Sequence, residues 1–135
     1  MYVFETKIRV RYAETDQMSY VYYGIYAQYL EVGRVEALRN IGIVYKDLEL
    51  EGIMMPVLEM NIKYFRPARY DDLLTVRTSI KKMPSQKVSF DFEIFNQKDV
   101  LLTKAYTTLV FVNMETGKPV MLPRMVADKL SAFFN

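Results

Sequence analysis

The chain has 135 residues, of which 51% are hydrophobic and 25% charged, and its formal net charge at pH 7 is +2. These values predict one globular domain over residues 1–135, and so small and interspersed a charge disfavours nucleic acid as a partner. Because the chain has neither Cys nor His, disulfides, cysteine nucleophiles, a Ser-His-Asp triad and Cys or His metal ligands are excluded. Any acid–base or nucleophilic chemistry must therefore come from Asp, Glu, Lys, Tyr, Ser or Thr.

The apolar runs, such as Leu109–Val112, are far too short to span a bilayer. The first twelve residues carry charge from the fifth position onward and contain no small-residue cleavage site, so we do not expect a signal peptide. The sequence therefore predicts a cytoplasmic protein that does not bind membranes.

The N-terminal segment 3–12 alternates between apolar and basic residues. Ile8, Val10 and Tyr12 are predicted to face one side of a strand, with basic residues on the other side. A polar turn rich in Tyr is predicted to follow over residues 13–22.

Helical spacing of apolar residues begins at Tyr23 and continues to about Ile41. Gly42 is predicted to end this helix as its C-cap. Gly33 and Ala37 are small residues on the predicted inner face, and they should let the helix approach a sheet closely.

After residues 43–52, which are predicted to be a short irregular or helical piece, the pattern becomes that of strands. The predicted strands are Met55–Phe65, Leu73–Lys82, Lys87–Asn96 and Val100–Asn113, and a terminal helix is predicted over Arg124–Phe134. Short turns between successive strands require mostly antiparallel pairing, which predicts an α+β fold with a five-stranded sheet against one long helix. One helix covers only part of such a sheet, so we expect the remaining apolar surface to be buried against a second subunit.

Asp16 is the main candidate for chemistry, since it precedes the predicted helix start by seven residues. The unpaired amides and dipole of a helix N-terminus favour developing negative charge, so an acid beside them indicates a candidate acyl-transfer site. Asp16, ordinarily ionised at neutral pH, could attack a carbonyl as a nucleophile or deprotonate water as a general base. The alternative is a turn residue without catalytic role. Glu14, two residues earlier, is interpreted as a solvated charge of the turn.

Two groups of motifs resemble those of the hotdog-fold acyl-CoA thioesterases of the 4-hydroxybenzoyl-CoA thioesterase type, and the resemblance covers nearly the whole chain. The first group consists of Tyr12-Ala13-Glu14-Thr15-Asp16, then Val21-Tyr22-Tyr23, Tyr26, and Glu31 with Arg34. The second consists of Tyr64-Phe65-Arg66-Pro67-Ala68 followed by Asp71.

The resemblance implies a curved five-stranded antiparallel sheet wrapped around one long helix, with a short C-terminal helix. It implies hydrolysis of an acyl-CoA to a free acid and coenzyme A, with Asp16 as the catalytic carboxylate and the Tyr23 amide polarising the carbonyl. Coenzyme A is then part of the substrate, and no further cofactor or metal is expected. The resemblance also implies a site at a dimer interface, with coenzyme A lying across subunits near surface Arg and Lys residues. The chain is predicted to form a homodimer or homotetramer.

Further residues are assigned to the predicted site. Glu31 could hold a water or a substrate group as a third catalytic residue, or it could pair with Arg34 on the helix surface. The predicted substrate-binding residues are Tyr20, Tyr22, Gly24, Arg66 and Arg69, with the two arginines offered to coenzyme A phosphates.

The chain departs from the family pattern at three positions. It has Ser19 and Tyr20 where the family often has Gly and His, and Ile25 where the family commonly has Asn. Ser19 indicates that the loop need not adopt a conformation open only to glycine. The alternatives are a non-catalytic acyl-thioester-binding module and an acyl-carrier-protein thioesterase. A hotdog hydro-lyase is disfavoured, because those relatives typically rely on a catalytic His.

Overall fold

In a computed structural model, which describes residues 1–135, a five-stranded antiparallel sheet packs against one long helix. The strands are β1 (Tyr2–Arg9), β2 (Ile53–Met54), β3 (Val57–Tyr64), β4 (Leu73–Ile80), β5 (Lys87–Phe95), β6 (Leu101–Val110) and β7 (Val112–Asn113). The α-helices are α1 (Tyr26–Asn40), α2 (Tyr45–Leu50) and α3 (Arg124–Leu130), and short 3-10 turns cover Tyr12–Glu14, Tyr23–Ile25 and Ser131–Phe133. No helix of this structure has the length and apolar character needed to cross a membrane.

The large sheet has the order β1-β4-β5-β6-β3, and every neighbouring pair is antiparallel. The predicted α+β fold is therefore confirmed. The prediction of a single strand over residues 100–113 is wrong in its last part, because β7 leaves the large sheet and pairs with β2. The break falls at Phe111, whose N–H donates to the Gln86 carbonyl (3.0 Å) and whose carbonyl accepts from Val120.

The first strand is shorter than predicted. Strand β1 ends at Arg9, and Val10 then exchanges backbone hydrogen bonds with residues 71 and 72. Val10 is buried, but Tyr12 lies in the following 3-10 turn and is 78% exposed. The prediction that Tyr12 shares the inner face with Ile8 and Val10 is therefore wrong, because the alternation of a strand no longer applies at that position.

The long helix begins and ends close to its predicted bounds. Its first turn, Tyr23–Ile25, is 3-10 rather than α, as is common at helix termini. At the other end Gly42 has φ +84°, and the next residue, Ile43, donates its N–H to the Leu38 carbonyl at 2.9 Å. This is the left-handed glycine C-cap that the sequence predicts.

Gly33 brings α1 against strand β4. A Cβ placed on Gly33 would lie 2.7 Å from Val76 Cγ1 and 2.8 Å from Thr78 Oγ1, closer than side-chain atoms normally approach. Ala37, one turn later, is also fully buried. The predicted close approach of helix and sheet at these small residues is confirmed.

Candidate functional site

The turn that carries Asp16 is closed by backbone pairing. Thr15 and Val21 form an antiparallel bridge, and the Asp16 N–H donates to the Tyr20 carbonyl at 2.8 Å. Within this turn Asp16 Oδ1 accepts the Met18 N–H at 2.9 Å, so the side chain also supports the loop. Oδ2 has no hydrogen-bond partner within the chain, and the half-buried carboxylate is open on that side.

Ser19 has φ +67°, in the left-handed region that favours glycine. The interpretation that Ser19 frees the loop from a glycine-like conformation is therefore wrong. The turn keeps the conformation because its ends are held by the Thr15–Val21 bridge, and the serine adopts it at a cost of about 1 kcal/mol.

Ser19→Gly is expected to raise the free energy of unfolding by about 0.5 kcal/mol, since relief of strain at positive φ outweighs the larger backbone entropy of glycine in the unfolded chain. Urea denaturation of the two proteins measures this difference. Ser85→Gly, in a turn where φ is negative, is the control and should lower stability. A loss of stability in Ser19→Gly of the same size as in the control would contradict the strain at residue 19.

The amides at the start of the helix are free. Neither the Tyr23 nor the Gly24 N–H donates to any acceptor in the chain, whereas Ile25 N–H already bonds to the Tyr22 carbonyl. Both residues are exposed. These two N–H groups are thus available to an external acceptor, as expected for the first residues of a helix.

The second motif lies directly beside the first. The Val21 N–H donates to the Ala68 carbonyl at 2.9 Å, and the Ala68 N–H donates to Tyr26 Oη at 3.1 Å. The Arg69 guanidinium lies 4.8 Å from the centre of the Tyr20 ring, a cation–π contact. The structure therefore joins two motifs that are more than forty residues apart in sequence.

Two surface cavities meet at Asp16. One, of about 340 Å³, is lined by Asp16, Tyr20, Tyr23 and Arg66 together with aromatic residues of the second motif. The other, of about 660 Å³, is more polar and is lined by Asp16 and Arg69 among others. Four of the predicted site residues thus share one cavity, and a fifth lies in the adjoining one.

The remaining predicted residues lie differently. The Tyr22 ring is exposed and packs on Tyr23, with ring centres 4.7 Å apart. Glu31 is exposed on α1, eight residues after Tyr23 and so roughly 12 Å along the helix axis, and it does not line either cavity. The alternative prediction for Glu31, an ion pair with Arg34 on the helix surface, is also wrong. Arg34 is buried, and it donates to Tyr45 Oη at 2.7 Å.

Glu14 is buried, with 7% of its surface exposed, and the interpretation of this residue as a solvated charge is wrong. Its Oε1 accepts from Tyr29 Oη (2.8 Å) and from the Arg11 N–H (2.9 Å), and its Oε2 accepts from Arg11 Nε (3.1 Å) and Nη2 (3.0 Å). Burial raises the pKa of Glu14, but the hydrogen bonds from Arg11 and Tyr29 outweigh burial and hold this pKa below its ordinary value. The i,i+3 spacing from Arg11 hints at the local bonds, but nothing in the sequence indicates Tyr29 as a partner.

No three Asp or Glu side chains lie close enough together to hold a metal ion. The cationic groups nearest the two cavities are Arg66 and Arg69, which are exposed and form no ion pair. An anionic ligand group in either cavity would therefore have an unpaired guanidinium beside it.

Comparison with known proteins agrees with this arrangement. Residues 18–103 match the Thioesterase superfamily. The chain is 35% identical over 133 residues to YneP of Bacillus subtilis strain 168, which is named provisionally as an acyl-CoA thioesterase. The matched region covers 98% of this chain and 96% of that protein. It is 32% identical to the acyl-CoA thioester hydrolase YbgC of Escherichia coli O6:H1, over 92% of each chain.

The crystal structure of a DHNA-CoA thioesterase from Staphylococcus aureus superposes with a TM-score of 0.91 at 35% identity, covering 98% of this chain and 89% of that one. Sequence motifs, sheet order and these similarities agree along nearly the whole chain. The protein therefore belongs to the Thioesterase superfamily and is a hydrolase of the hotdog fold.

Proposed function

We propose that this protein hydrolyses an acyl-CoA thioester to a free acid and coenzyme A, with Asp16 and the Tyr23 amide acting on the thioester carbonyl. The observation that supports this assignment is the shared cavity. Asp16, whose Oδ2 has no partner in the chain, and Tyr23, whose N–H is free, line the same cavity of about 340 Å³. The relatives named as acyl-CoA thioesterases indicate the substrate class.

Two routes fit a carboxylate in this position. As a nucleophile, Asp16 attacks the carbonyl carbon, the C–S bond breaks, the thiolate leaves and takes up a proton, and water cleaves the resulting anhydride. As a general base, Asp16 takes a proton from water, which attacks the carbonyl, and the proton then passes to the departing sulfur. In both routes negative charge develops on the carbonyl oxygen. The Tyr23 N–H, with Gly24 next to it, would stabilise this charge, and such a donor can lower the barrier by about 3 kcal/mol.

We assign the carrier end of the substrate to Arg66 of the second motif and to Arg69, three residues further along the chain. Arg66 lines the cavity of about 340 Å³ and Arg69 lines the cavity of about 660 Å³, and Asp16 lines both. A phosphate group in either cavity would therefore find a planar guanidinium donor. The aromatic residues Tyr20, Tyr64 and Phe65 are then left to contact the acyl group or the pantetheine arm.

A thiol-release assay tests the proposal. The substrates should be acyl-CoA thioesters of aliphatic acids of several chain lengths and of aromatic acids. DHNA-CoA should be among them, because the Staphylococcus aureus relative is named for it. Turnover of the same acyl group on an acyl-carrier protein but not on coenzyme A would favour the carrier-protein thioesterase. Tight binding of acyl-CoA without any turnover would favour the non-catalytic binding module. A cytoplasmic location stays a prediction of the sequence.

We further propose that the protein acts as a homodimer or a larger homo-oligomer, formed along strand β3. This strand pairs only with β6, so its other edge is free, and its apolar residues Val57, Leu58, Met60 and Tyr64 are exposed. A long, apolar, unpaired edge is the surface at which a second copy can extend the sheet.

Leu58→Lys is expected to weaken self-association by about tenfold or more, because the substitution places a charge in the apolar interface. Analytical ultracentrifugation over a range of concentrations measures the association constant. Leu58 is 54% exposed, and Val3, on the opposite edge strand β1, is 43% exposed. Val3→Lys is therefore a matched control that should leave association unchanged. Equal weakening by both substitutions would contradict an interface along β3.

A further inference from the structure

Glu14 joins the two halves of the candidate site through opposite ends of the residue. Its carbonyl accepts the Tyr22 N–H at 2.9 Å, immediately before the Tyr23 amide. Its carboxylate accepts the Tyr29 hydroxyl at 2.8 Å, from the second turn of the long helix. The turn that carries Asp16 begins at the next residue. Glu14 is thus in contact with both sides of the gap between Asp16 and the start of the helix.

The hydrogen bond between Tyr29 and Glu14 connects the long helix to the segment before the Asp16 turn. It is the sole side-chain hydrogen bond between α1 and the segment 11–16, and both of its partners are buried. Burial, and to a lesser extent the hydrogen bond to Glu14, raises the pKa of Tyr29. The hydroxyl therefore stays protonated and donates to the carboxylate. A buried ionised acceptor with a neutral donor is among the stronger hydrogen bonds in proteins.

Three hydrogen bonds from Arg11 hold the carboxylate in one orientation. Arg11 donates its N–H to Oε1 and its guanidinium to Oε2, so both oxygens are bonded and neither is free to act on a substrate. Glu14 is therefore in a position to fix geometry, not to react.

We infer that Glu14 is a positioning residue for the reaction, whose bond to Tyr29 sets the location of the Asp16 turn relative to the Tyr23 amide. This inference rests on the proposed function, in which Asp16 and that amide act on one carbonyl. Because catalysis depends steeply on the placement of such groups, displacement of the turn by a fraction of an ångström lowers kcat while leaving the binding surface in place.

Tyr29→Phe tests the inference, since it removes the hydroxyl and keeps the buried ring. We expect kcat to fall by roughly 10-fold to 100-fold with KM unchanged within about a factor of two. Tyr2→Phe is the matched control: Tyr2 is also buried, and its hydroxyl donates to the Ala37 carbonyl (2.6 Å) near the other end of α1. It should show a similar fall in Tm but an unchanged kcat. Equal kcat values in the two variants would overturn the positioning role.

A double-mutant cycle assigns the effect to the pair. In a Glu14→Ala background, Tyr29→Phe should cause no further fall in kcat, because the bond is already absent. Independent, multiplicative losses would overturn the inference.

Hydrogen exchange provides a measurement that does not depend on turnover. In Tyr29→Phe the amides of Tyr22 and Met18, which bond to Glu14 and Asp16, should exchange faster than in Tyr2→Phe. If the parent protein hydrolyses no thioester, the proposed function fails, and this comparison still decides whether Glu14 and Tyr29 hold the turn. Unchanged exchange at both amides would overturn the inference in either case.

Discussion

Asp16→Asn is expected to lower kcat for acyl-CoA hydrolysis by at least about 10²-fold to 10⁴-fold, the range typical of general acid–base catalysis. The substitution preserves size, and the asparagine oxygen can still accept the Met18 N–H, so the turn should keep its conformation. What is lost is the negative charge of a carboxylate that lines both cavities and whose Oδ2 has no partner in the chain. Steady-state kinetics of the folded variant, with circular dichroism and Tm as checks on the fold, measure the effect.

Asp99→Asn is the control for this experiment. Asp99 also lies in a turn, with φ +59°, and is exposed at a position that lines neither cavity at Asp16. Its substitution should leave kcat within a factor of two. Survival of activity in Asp16→Asn would contradict the proposed role and would make Glu31→Gln the next variant to measure.

The two proposed routes can be separated in the parent enzyme. After many turnovers in H₂¹⁸O, a peptide containing Asp16 should carry ¹⁸O if an anhydride forms and water attacks its aspartyl carbon. Mass spectrometry of that peptide, beside the free acid product, measures the label. Labelled Asp16 would identify the nucleophilic route.

Gly33→Leu is expected to lower the free energy of unfolding by about 3 kcal/mol, the upper part of the range for overpacking a core. The first atom of the new side chain would already clash with Val76 and Thr78, and the remaining three carbons have no space between the helix and β4. The helix would have to move away from the sheet, at the cost of the contacts that bury its inner face. Urea or thermal unfolding measures the loss.

Val32→Leu, one residue earlier, is the matched control because Val32 lies on the exposed face of the same helix. It should change stability by less than about 0.5 kcal/mol. A small effect in both variants would show that the helix does not depend on a close approach at Gly33. Since the 3-10 turn with the Tyr23 and Gly24 amides leads directly into α1, loss of activity in Gly33→Leu is expected to accompany loss of stability.

Local patterns predicted most of the fold. Alternation over residues 87–96 predicted β5 to within one residue, and Gly42 predicted the end of α1, because both signals arise from neighbours in sequence. Errors occur where a distant contact intervenes. The last predicted strand breaks at Phe111, because its N–H donates to the Gln86 carbonyl. Tyr12 is exposed, because β1 ends at Arg9.

The candidate site shows the same division. The separation of seven residues predicts that Asp16 lies near the helix start at Tyr23. The resemblance implies coenzyme A phosphates near surface Arg and Lys residues, and on that basis Arg66 and Arg69 are predicted to bind them. The structure places these residues around adjoining cavities, and it leaves Glu31 apart from them.

By itself, the sequence determined the fold class, the family resemblance, and the absence of Cys and His that leaves carboxylates as the candidate acids and bases. Only the tertiary structure decided the state of Glu14 and Ser19. A glutamate in a polar turn is solvated unless other parts of the chain pack over it. Tyr29, fifteen residues away on another element, is one of the residues that contact Glu14 in the folded chain. A serine adopts positive φ only when the surrounding chain imposes it, and the Thr15–Val21 bridge does so here. Both are consequences of long-range contacts, whose energies depend on the folded arrangement and leave no periodic signal in the chain.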